Sequence, residues 1–481
     1  AFPALKNKIG FVVGLAAFVV LMVAPSGLDV QIRRTLAVLA LCAIWWATEA
    51  ISIYATSLLP AVLLPLLGIL PLGEALAQYA NRLIFLFLGG FVIARAMMKW
   101  GIDRRLAMLI LGRVGGDSKR LVLYFMGLTA FLSAFISNTA TTAMMLPIAL
   151  AILSSSQLSA ESRYGTVLLL GIAYAATIGG VATLVGTPPN VLLAGFSQSL
   201  LGREFTFFEW LKVGLPFAVV MLPLTWWFLW VTHKPKVTEI AGAAALDEEK
   251  KTMEPLALGG KYTIVAFVMV AVLWLTRPFW DALPIPGIEL VQARFDDSLI
   301  ALFCALLLFI VPTNLKKWEF PLVWADTRSI SFGTLYLFGG GLALGKGLFA
   351  SGTAQWIAAS LPLSESFHPI LMILVVALIA SFLSEVASNT AVANMMVPIL
   401  IAVATAIGVS PFLLAIPATL ACSNVFMLPV STPPNAIVYG SGKLRMSDMM
   451  RTGFRLHMIG IVVMTLLVYL ITGKLFDVFP T

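Results

Sequence analysis

Long apolar stretches separated by short polar loops run along almost the whole chain of 481 residues. An uncharged stretch of about 18 residues or more is long enough for a helix to cross a hydrocarbon core about 30 Å thick. The pattern predicts eleven crossings, at residues 9–28, 33–48, 51–70, 82–98, 164–197, 212–232, 262–277, 296–312, 330–350, 411–440 and 456–473. Hydropathy alone therefore predicts an all-α multi-pass membrane protein.

Two further apolar segments, 121–152 and 369–403, each carry a polar break near the middle. The breaks are Ser137-Asn138-Thr139 and Ser388-Asn389-Thr390. Each half of these segments is only about 13–17 residues long, which is short for a full crossing. We therefore expect two re-entrant hairpins, each entering and leaving the membrane on the same side.

The two breaks belong to an internal repeat. Three pairs of segments align without gaps: 131–152 with 382–403, 85–91 with 336–342, and 186–195 with 431–440. In the longest pair about 12 of 22 positions are identical. The repeat unit is a helix, a hairpin, a helix broken at Thr-Pro-Pro-Asn and a last helix, at 81–232 and 331–474. An odd number of crossings separates the units, which predicts inverted topology, and in such repeats interrupted helices mark the binding site.

Composition and charge support the membrane interpretation. The chain is 60% hydrophobic and 11% charged, whereas soluble domains carry about 25% charged residues. The net charge of +8 comes from short basic loops, as the positive-inside rule predicts, so we expect no nucleic-acid partner. The basic loops place the N-terminus in the cytoplasm and the C-terminus outside. The first hairpin then opens to the cytoplasm and the second to the outside.

The polar breaks contain hydroxyl and amide groups but no lysine or arginine. Such oxygen ligands suit a hard cation such as Na⁺, and helix N-termini at the breaks favour an anion. The alternative is that these polar residues only join helices. Glu385, just ahead of the second break, either tunes an ion site or faces a wet cavity. His233, His368 and His457 are expected to be isolated near the membrane surfaces, and no catalytic constellation points to an enzyme.

The paired Ser-Asn-Thr motifs, FLFLGG at 85–90 and the GTPPN and STPPN motifs resemble the divalent anion:sodium symporter family. The likeness covers nearly the whole chain and is strongest to the bacterial sodium-coupled dicarboxylate transporters. It implies a homodimer in the inner membrane, built from a scaffold domain and a mobile transport domain that moves like an elevator. The scaffold would comprise 1–120 and 262–350, and the transport domain 121–232 and 366–475.

The resemblance also implies a function and a set of site residues. The expected function is Na⁺-coupled symport of the C4-dicarboxylates succinate, malate and fumarate. The alternatives are a sodium-independent dicarboxylate exchanger and a citrate or sulfate carrier. The implied sodium ligands are Ser133, Ser137, Asn138 and Gly186 at one site, and Ser384, Ala387, Asn389 and Ser431 at the other. The implied substrate-binding residues are Asn138, Thr139, Asn389, Thr390 and Pro433.

Overall fold

The computed structural model describes residues 2–23, 27–111, 117–237, 254–282, 291–292, 294–360 and 367–475. Most of the charged loop expected at 234–261 lies outside these residues. The described residues form no β-strand, and their α-helices are numbered here along the chain. They are α1 (Phe2–Val23), α2 (Val30–Thr48), α3 (Ile53–Thr56), α4 (Leu59–Leu66), α5 (Leu72–Ala77), α6 (Arg82–Lys99), α7 (Ile102–Leu111), α8 (Ser118–Ser133), α9 (Asn138–Ser155), α10 (Arg163–Ala182), α11 (Pro188–Leu201), α12 (Phe207–His233), α13 (Leu258–Thr276), α14 (Asp297–Ile310), α15 (Phe332–Ala350), α16 (Thr353–Ser360), α17 (Pro369–Val386), α18 (Asn389–Ala406), α19 (Pro411–Cys422), α20 (Pro433–Gly440) and α21 (Met446–Leu475).

The prediction of an all-α membrane fold is confirmed. Ten helical stretches of the described residues are long and apolar enough to cross a bilayer. Three of these ten are hairpin helices, α9, α17 and α18. Three of the predicted crossings contain shorter apolar helices instead, at Ile53–Leu66, Asp297–Ile310 and Pro411–Cys422. The number of long helices therefore does not map one to one onto the eleven predicted crossings.

The helices follow the predicted repeat. The first unit runs α6, α7, the hairpin α8–α9, the broken helix α10–α11 and α12. The second unit has the same order: α15, α16, the hairpin α17–α18, the broken helix α19–α20 and α21. The basic stretch 99–120 was expected to be a loop, and α7 corrects that expectation. Ile102, Ala107 and Met108 of α7 are buried, whereas Arg104 is exposed, and averaging hydropathy over its charged residues hides such an amphipathic helix.

The repeats are interlocked at their broken helices. In the first repeat, α11 packs against the hairpin helix α18 of the second repeat. In the second repeat, α20 packs against the hairpin helix α9 of the first. Between them lies α10, in which every residue from Tyr164 to Ala182 is buried. This exchange brings all four helix breaks to the middle of the molecule.

A second group of helices surrounds this centre. Within it α1 packs on α2 and α6 packs on α14, while α15 contacts both α11 and α18. Glycines allow the closest approach: a Cβ atom at Gly340 would lie 2.9 Å from the Cα of Ser57. The buried Asn394 side chain on α18 donates a hydrogen bond of 2.9 Å to the Leu337 carbonyl on α15. These contacts hold the outer helices against the hairpins.

Candidate functional site

The four helix breaks line one cavity of about 780 Å³. Every residue expected to bind substrate lines it: Asn138, Thr139, Asn389, Thr390 and Pro433. Asn138 and Asn389 are also expected sodium ligands, and three further ones line the cavity: Ser137, Gly186 and Ser431. The remaining sodium candidates, Ser133, Ser384 and Ala387, lie behind the cavity wall among the supporting helices. The structure therefore brings the predicted residues together in two layers.

Each hairpin tip begins a helix at the cavity. In the first hairpin the Ser137 hydroxyl caps α9 by accepting the amide N–H of Ala140 at 3.4 Å. In the second, α18 begins at Asn389 after a connection of two residues, Ala387 and Ser388. The first turns of both helices line the cavity. These first turns carry no basic side chain. Their free amide N–H groups and the positive ends of the helix dipoles nevertheless make this wall suited to an anion.

The asparagine of each Thr-Pro-Pro-Asn motif holds the broken helix in place. Asn190 and Asn435 are fully buried. Each donates its side-chain N–H to an unwound carbonyl, that of Thr183 at 2.7 Å and that of Leu428 at 3.1 Å. The proline after each threonine begins the next helix, where its missing N–H costs nothing. These asparagines hold the unwound backbone by hydrogen bonds and do not line the cavity.

The unwound part of the second repeat is longer than its motif. Helix α19 ends at Cys422 and α20 begins at Pro433, so residues 423–432 are not helical. In the first repeat α10 ends at Ala182 and α11 begins at Pro188. Sequence patterning located the prolines but not this difference, because residues 423–430 are mostly apolar and continue the hydropathy signal.

The first set of sodium candidates clusters around the first hairpin tip. The Ser133 hydroxyl lies 2.6 Å from the Asn138 amide oxygen and 2.7 Å from the Ala176 carbonyl. A Cβ atom at Gly180 would lie 2.5 Å from that amide oxygen, and one at Gly186 would lie 3.0 Å from the Ala134 carbonyl. Only glycine lets the unwound backbone come this close. Hydroxyl, amide and carbonyl oxygens therefore crowd one small volume.

The second set has more oxygen atoms without partners. The Ser384 hydroxyl and the Asn389 amide oxygen are buried and accept no hydrogen bond from the described residues, although the Cys422 thiol is a weak polar neighbour of Ser384. The Ser431 hydroxyl donates to the Leu428 carbonyl at 2.6 Å and accepts from the Asn435 amide at 3.2 Å. Buried oxygens without partners call for an explanation, and a hard cation is one that suits these ligands.

Two expectations about titratable residues are corrected. Glu385 does not face a wet cavity: it is 2% exposed, and it does not line the cavity. His457 is not an isolated interfacial residue: it is fully buried, and its Nδ1 lies 3.0 Å from the Glu385 carboxylate. The two residues are distant in sequence, so no local pattern could have paired them. The available signal was the charge of Glu385 inside an apolar run.

An arginine at the cavity was missed by the sequence analysis. Arg95 on α6 lines the cavity together with Phe91 and Met98. Its side-chain Nε donates a hydrogen bond of 3.1 Å to the Asp326 carbonyl. An arginine inside the apolar run 82–98 was the signal that could have found it. It lies on an outer helix and not at a break, so the breaks themselves remain without basic side chains.

The sequence is similar to those of known membrane transporters. Residues 5–476 match the family described as the sodium:sulfate symporter transmembrane region. The chain is 39% identical over 478 residues to the sodium-dependent dicarboxylate transporter SdcS of Staphylococcus saprophyticus, covering 96% of this chain and 90% of that protein. It is also 39% identical to SdcS of Staphylococcus aureus strain MRSA252 over 480 residues, covering 96% and 91%.

Two solved structures resemble the fold. The MtrF structure from Neisseria gonorrhoeae superposes with a TM-score of 0.56 at 13% identity, covering 95% of this chain and 98% of that one. The YdaH transporter of Alcanivorax borkumensis superposes with a TM-score of 0.53 at 13% identity, covering 84% and 89%. At such low identity these two likenesses concern the fold alone.

Proposed function

The chain belongs to the sodium:sulfate symporter family, and on that premise we propose that it takes up the C4-dicarboxylates succinate, malate and fumarate together with Na⁺. It is a multi-pass membrane transporter and not an enzyme, and Na⁺ is its coupling ion. The observation that carries the choice of a small dianion is the meeting of four helix breaks, none with a lysine or arginine, at one cavity of about 780 Å³.

The two hairpin tips are the proposed binding groups for the two carboxylates. Asn138 and Thr139 stand at the start of α9, and Asn389 and Thr390 stand at the start of α18, with Pro433 beside them in the wall. Amide N–H groups, hydroxyls and helix dipoles attract a carboxylate but do not cancel its charge. A dianion buried between the tips therefore needs cations bound beside it.

Sodium supplies that charge in the proposed mechanism. One ion binds among Ser133, Ser137, Asn138 and Gly186, and a second binds among Ser384, Ala387, Asn389 and Ser431. The asparagine side chains belong to both the ion sites and the substrate site. Sodium binding thus orders the tip that the dicarboxylate then contacts, which couples the two movements. The buried, unpartnered oxygens of Ser384 and Asn389 support this assignment.

The proposed movement is an elevator motion of a transport domain (121–232 and 366–475) against a scaffold (1–120 and 262–350). The interlocked packing of the hairpins and broken helices supports treating the transport domain as one unit. The cavity is walled on the other side by α6 and α15, and its lining includes Glu49, Arg95 and Ser331. In the proposed orientation, with the N-terminus in the cytoplasm, these three residues lie at the cytoplasmic side and the cavity faces inward.

At the opposite end of α6, Arg82 forms an ion pair of 3.2 Å with Asp296 and lies 2.6 Å from the Gln198 side chain. The ion pair lies within the proposed scaffold, whereas the contact with Gln198 joins the scaffold to the transport domain at the proposed outer face. The orientation with a cytoplasmic N-terminus and an external C-terminus, the location in the inner membrane and the homodimer are parts of the same proposal. The homodimer rests on the family resemblance, and cross-linking in native membranes tests it.

Radiolabelled succinate uptake into proteoliposomes tests the function. We expect uptake with an inward Na⁺ gradient and none with an equal K⁺ gradient. Equal uptake in both, dependent on dicarboxylate inside the vesicles, would instead identify a sodium-independent exchanger. Competition by unlabelled malate, fumarate, citrate and sulfate ranks the anions, and stronger competition by citrate or sulfate than by malate would contradict the proposed substrate class.

A further inference from the structure

Glu385 is tied to the unwound backbone of the second repeat. One carboxylate oxygen accepts the amide N–H groups of Phe426 at 2.8 Å and Met427 at 3.0 Å. The other lies 3.3 Å from the amide nitrogens of Met427 and Leu428. His457 on α21 contacts the first oxygen from the opposite side. One buried side chain thus binds three consecutive amides that no helix satisfies.

The first repeat lacks this arrangement. The hairpin alignment places Ala134 opposite Glu385. Gly214 on α12 packs against the last turn of α10 at Val181, and Gly453 on α21 packs against the unwound segment at Phe426. Aligning these two glycines places Ala218 opposite His457.

Both alanines line an apolar cavity of about 350 Å³ in the first repeat. In the second repeat the side chains of Glu385 and His457 occupy the equivalent space. The pair is therefore an addition to one half of a duplicated structure and not a general requirement of the fold.

The hydrogen bonds from Glu385 continue to the second sodium candidates. Leu428, whose amide points to Glu385, accepts the Ser431 hydroxyl and the Asn435 side chain at its carbonyl. On the other side Glu385 follows directly after Ser384 in α17. The carboxylate therefore links two parts of the proposed ion site: Ser384 on the hairpin, and the Leu428 carbonyl with Ser431 in the unwound segment.

We propose that Glu385, braced by His457, is the positioning residue for the second sodium site and sets how tightly that site binds Na⁺. This inference rests on the proposed sodium sites, and it adds a residue that binds no ion itself. Removing it leaves Ser431 and the Leu428 carbonyl free to move away from Ser384. Residues that orient metal ligands typically change metal affinity by about ten- to a hundredfold when replaced.

Glu385→Gln in the full chain tests the role, because glutamine keeps the shape but offers an N–H where Leu428 and Met427 need an acceptor. We expect the Na⁺ concentration for half-maximal binding, followed with ²²Na⁺ on purified protein, to rise about tenfold. The succinate concentration for half-maximal uptake at saturating Na⁺ should stay within about twofold, since the tips keep their own contacts. A general loss of structure would move both values.

Ser381→Ala is the matched control. Ser381 is fully buried on α17, one turn before Glu385, and its hydroxyl bonds to the Ala377 carbonyl of the same helix. It should bind Na⁺ as the unaltered protein does. His457→Gln is the second variant, to be used where Glu385→Gln is not recovered folded. It keeps the carboxylate but removes its brace, and a smaller rise in the half-maximal Na⁺ concentration is expected.

The ²²Na⁺ measurement does not depend on transport. If the unaltered protein binds Na⁺ but takes up no succinate, the proposed substrate is wrong, and the positioning role is still decided by the binding curves. Sodium binding by Glu385→Gln and His457→Gln equal to that of the unaltered protein would overturn the inference. So would a shift confined to the succinate concentration.

Discussion

The two hairpin tips carry the same motif but use its oxygens differently. In the first tip the Ser133 hydroxyl and the Asn138 amide oxygen are 2.6 Å apart and hydrogen-bonded. In the second tip the equivalent oxygens of Ser384 and Asn389 are buried and do not bond to each other, and Ser384 has only the weak contact of the Cys422 thiol. The first tip is thus closed by its own hydrogen bonds, whereas the second is not.

The surroundings explain the contrast. The first tip packs closely against the backbone at Gly180 and Gly186, and the Thr183 hydroxyl donates a hydrogen bond to the Ala134 carbonyl. The second tip lies beside a longer unwound segment, and backbone amides of that segment donate hydrogen bonds to Glu385. Duplicated motifs therefore do not guarantee equivalent sites. We expect the two sodium sites to differ in affinity and in what each loses on mutation.

The largest effect is expected when the asparagine of either hairpin tip, proposed to serve both an ion site and the substrate site, is replaced. Asn138→Ala and Asn389→Ala should each lower Na⁺-driven succinate uptake by about a hundredfold or more, because each amide serves both an ion and the substrate in the proposed mechanism. Uptake is measured in proteoliposomes at equal protein content, with membrane insertion checked by immunoblot. Normal uptake in both variants would refute the site assignment.

The next effect compares Gly186 with Ser431, which occupy equivalent positions in the two unwound segments. Gly186→Ser places a side chain against the Ala134 carbonyl, and overpacking of about 1–3 kcal/mol should lower uptake about ten- to a hundredfold. Ser431→Gly removes a hydroxyl without a clash and should change uptake by less than about tenfold. Gly440→Ala is the control, because nothing lies near its Cβ position. Equal losses in Gly186→Ser and Ser431→Gly would show that the two strands are equivalent.

A smaller effect distinguishes the two serines one turn before the breaks. Ser133→Ala removes hydrogen bonds to Asn138 and to the Ala176 carbonyl, so thermal unfolding should report a loss of about 1 kcal/mol. Ser384→Ala removes only the weak contact with the Cys422 thiol and should leave unfolding nearly unchanged, while the half-maximal Na⁺ concentration rises in both. Destabilisation of Ser384→Ala as large as that of Ser133→Ala would contradict the contrast between the tips.

The smallest effect concerns the support of the last turn of α10, which precedes the first unwound segment. The Trp210 indole donates a hydrogen bond of 2.9 Å to the Val181 carbonyl, and the helix alignment gives its counterpart as Met449, which has no such donor. Trp210→Phe should cost about 1 kcal/mol of stability in thermal unfolding, with the half-maximal Na⁺ concentration changed by less than about twofold. Met449→Leu is the matched swap and should cost less than about 1.5 kcal/mol. A tenfold change in Na⁺ dependence for Trp210→Phe would give this tryptophan a larger role than support.

Much of the site could be read from the sequence because a bilayer penalises unsatisfied backbone. Polar or proline-containing interruptions of apolar segments are rare for that reason, and they point to a cavity. The interruptions at Asn138, Asn389, Pro188 and Pro433 all line the cavity of about 780 Å³. The amphipathic helix α7 was missed because its charged face lowers the hydropathy that identified the other helices.

The sequence by itself determined the membrane class, the duplication and the positions of the helix breaks, since each follows from local hydropathy and from proline and capping chemistry. Only the tertiary structure decided that α11 crosses to the hairpin of the other repeat and that Glu385 meets His457. These contacts join residues far apart in the chain, and their partners are chosen by packing and by the need to satisfy buried polar groups. No local pattern contains that information.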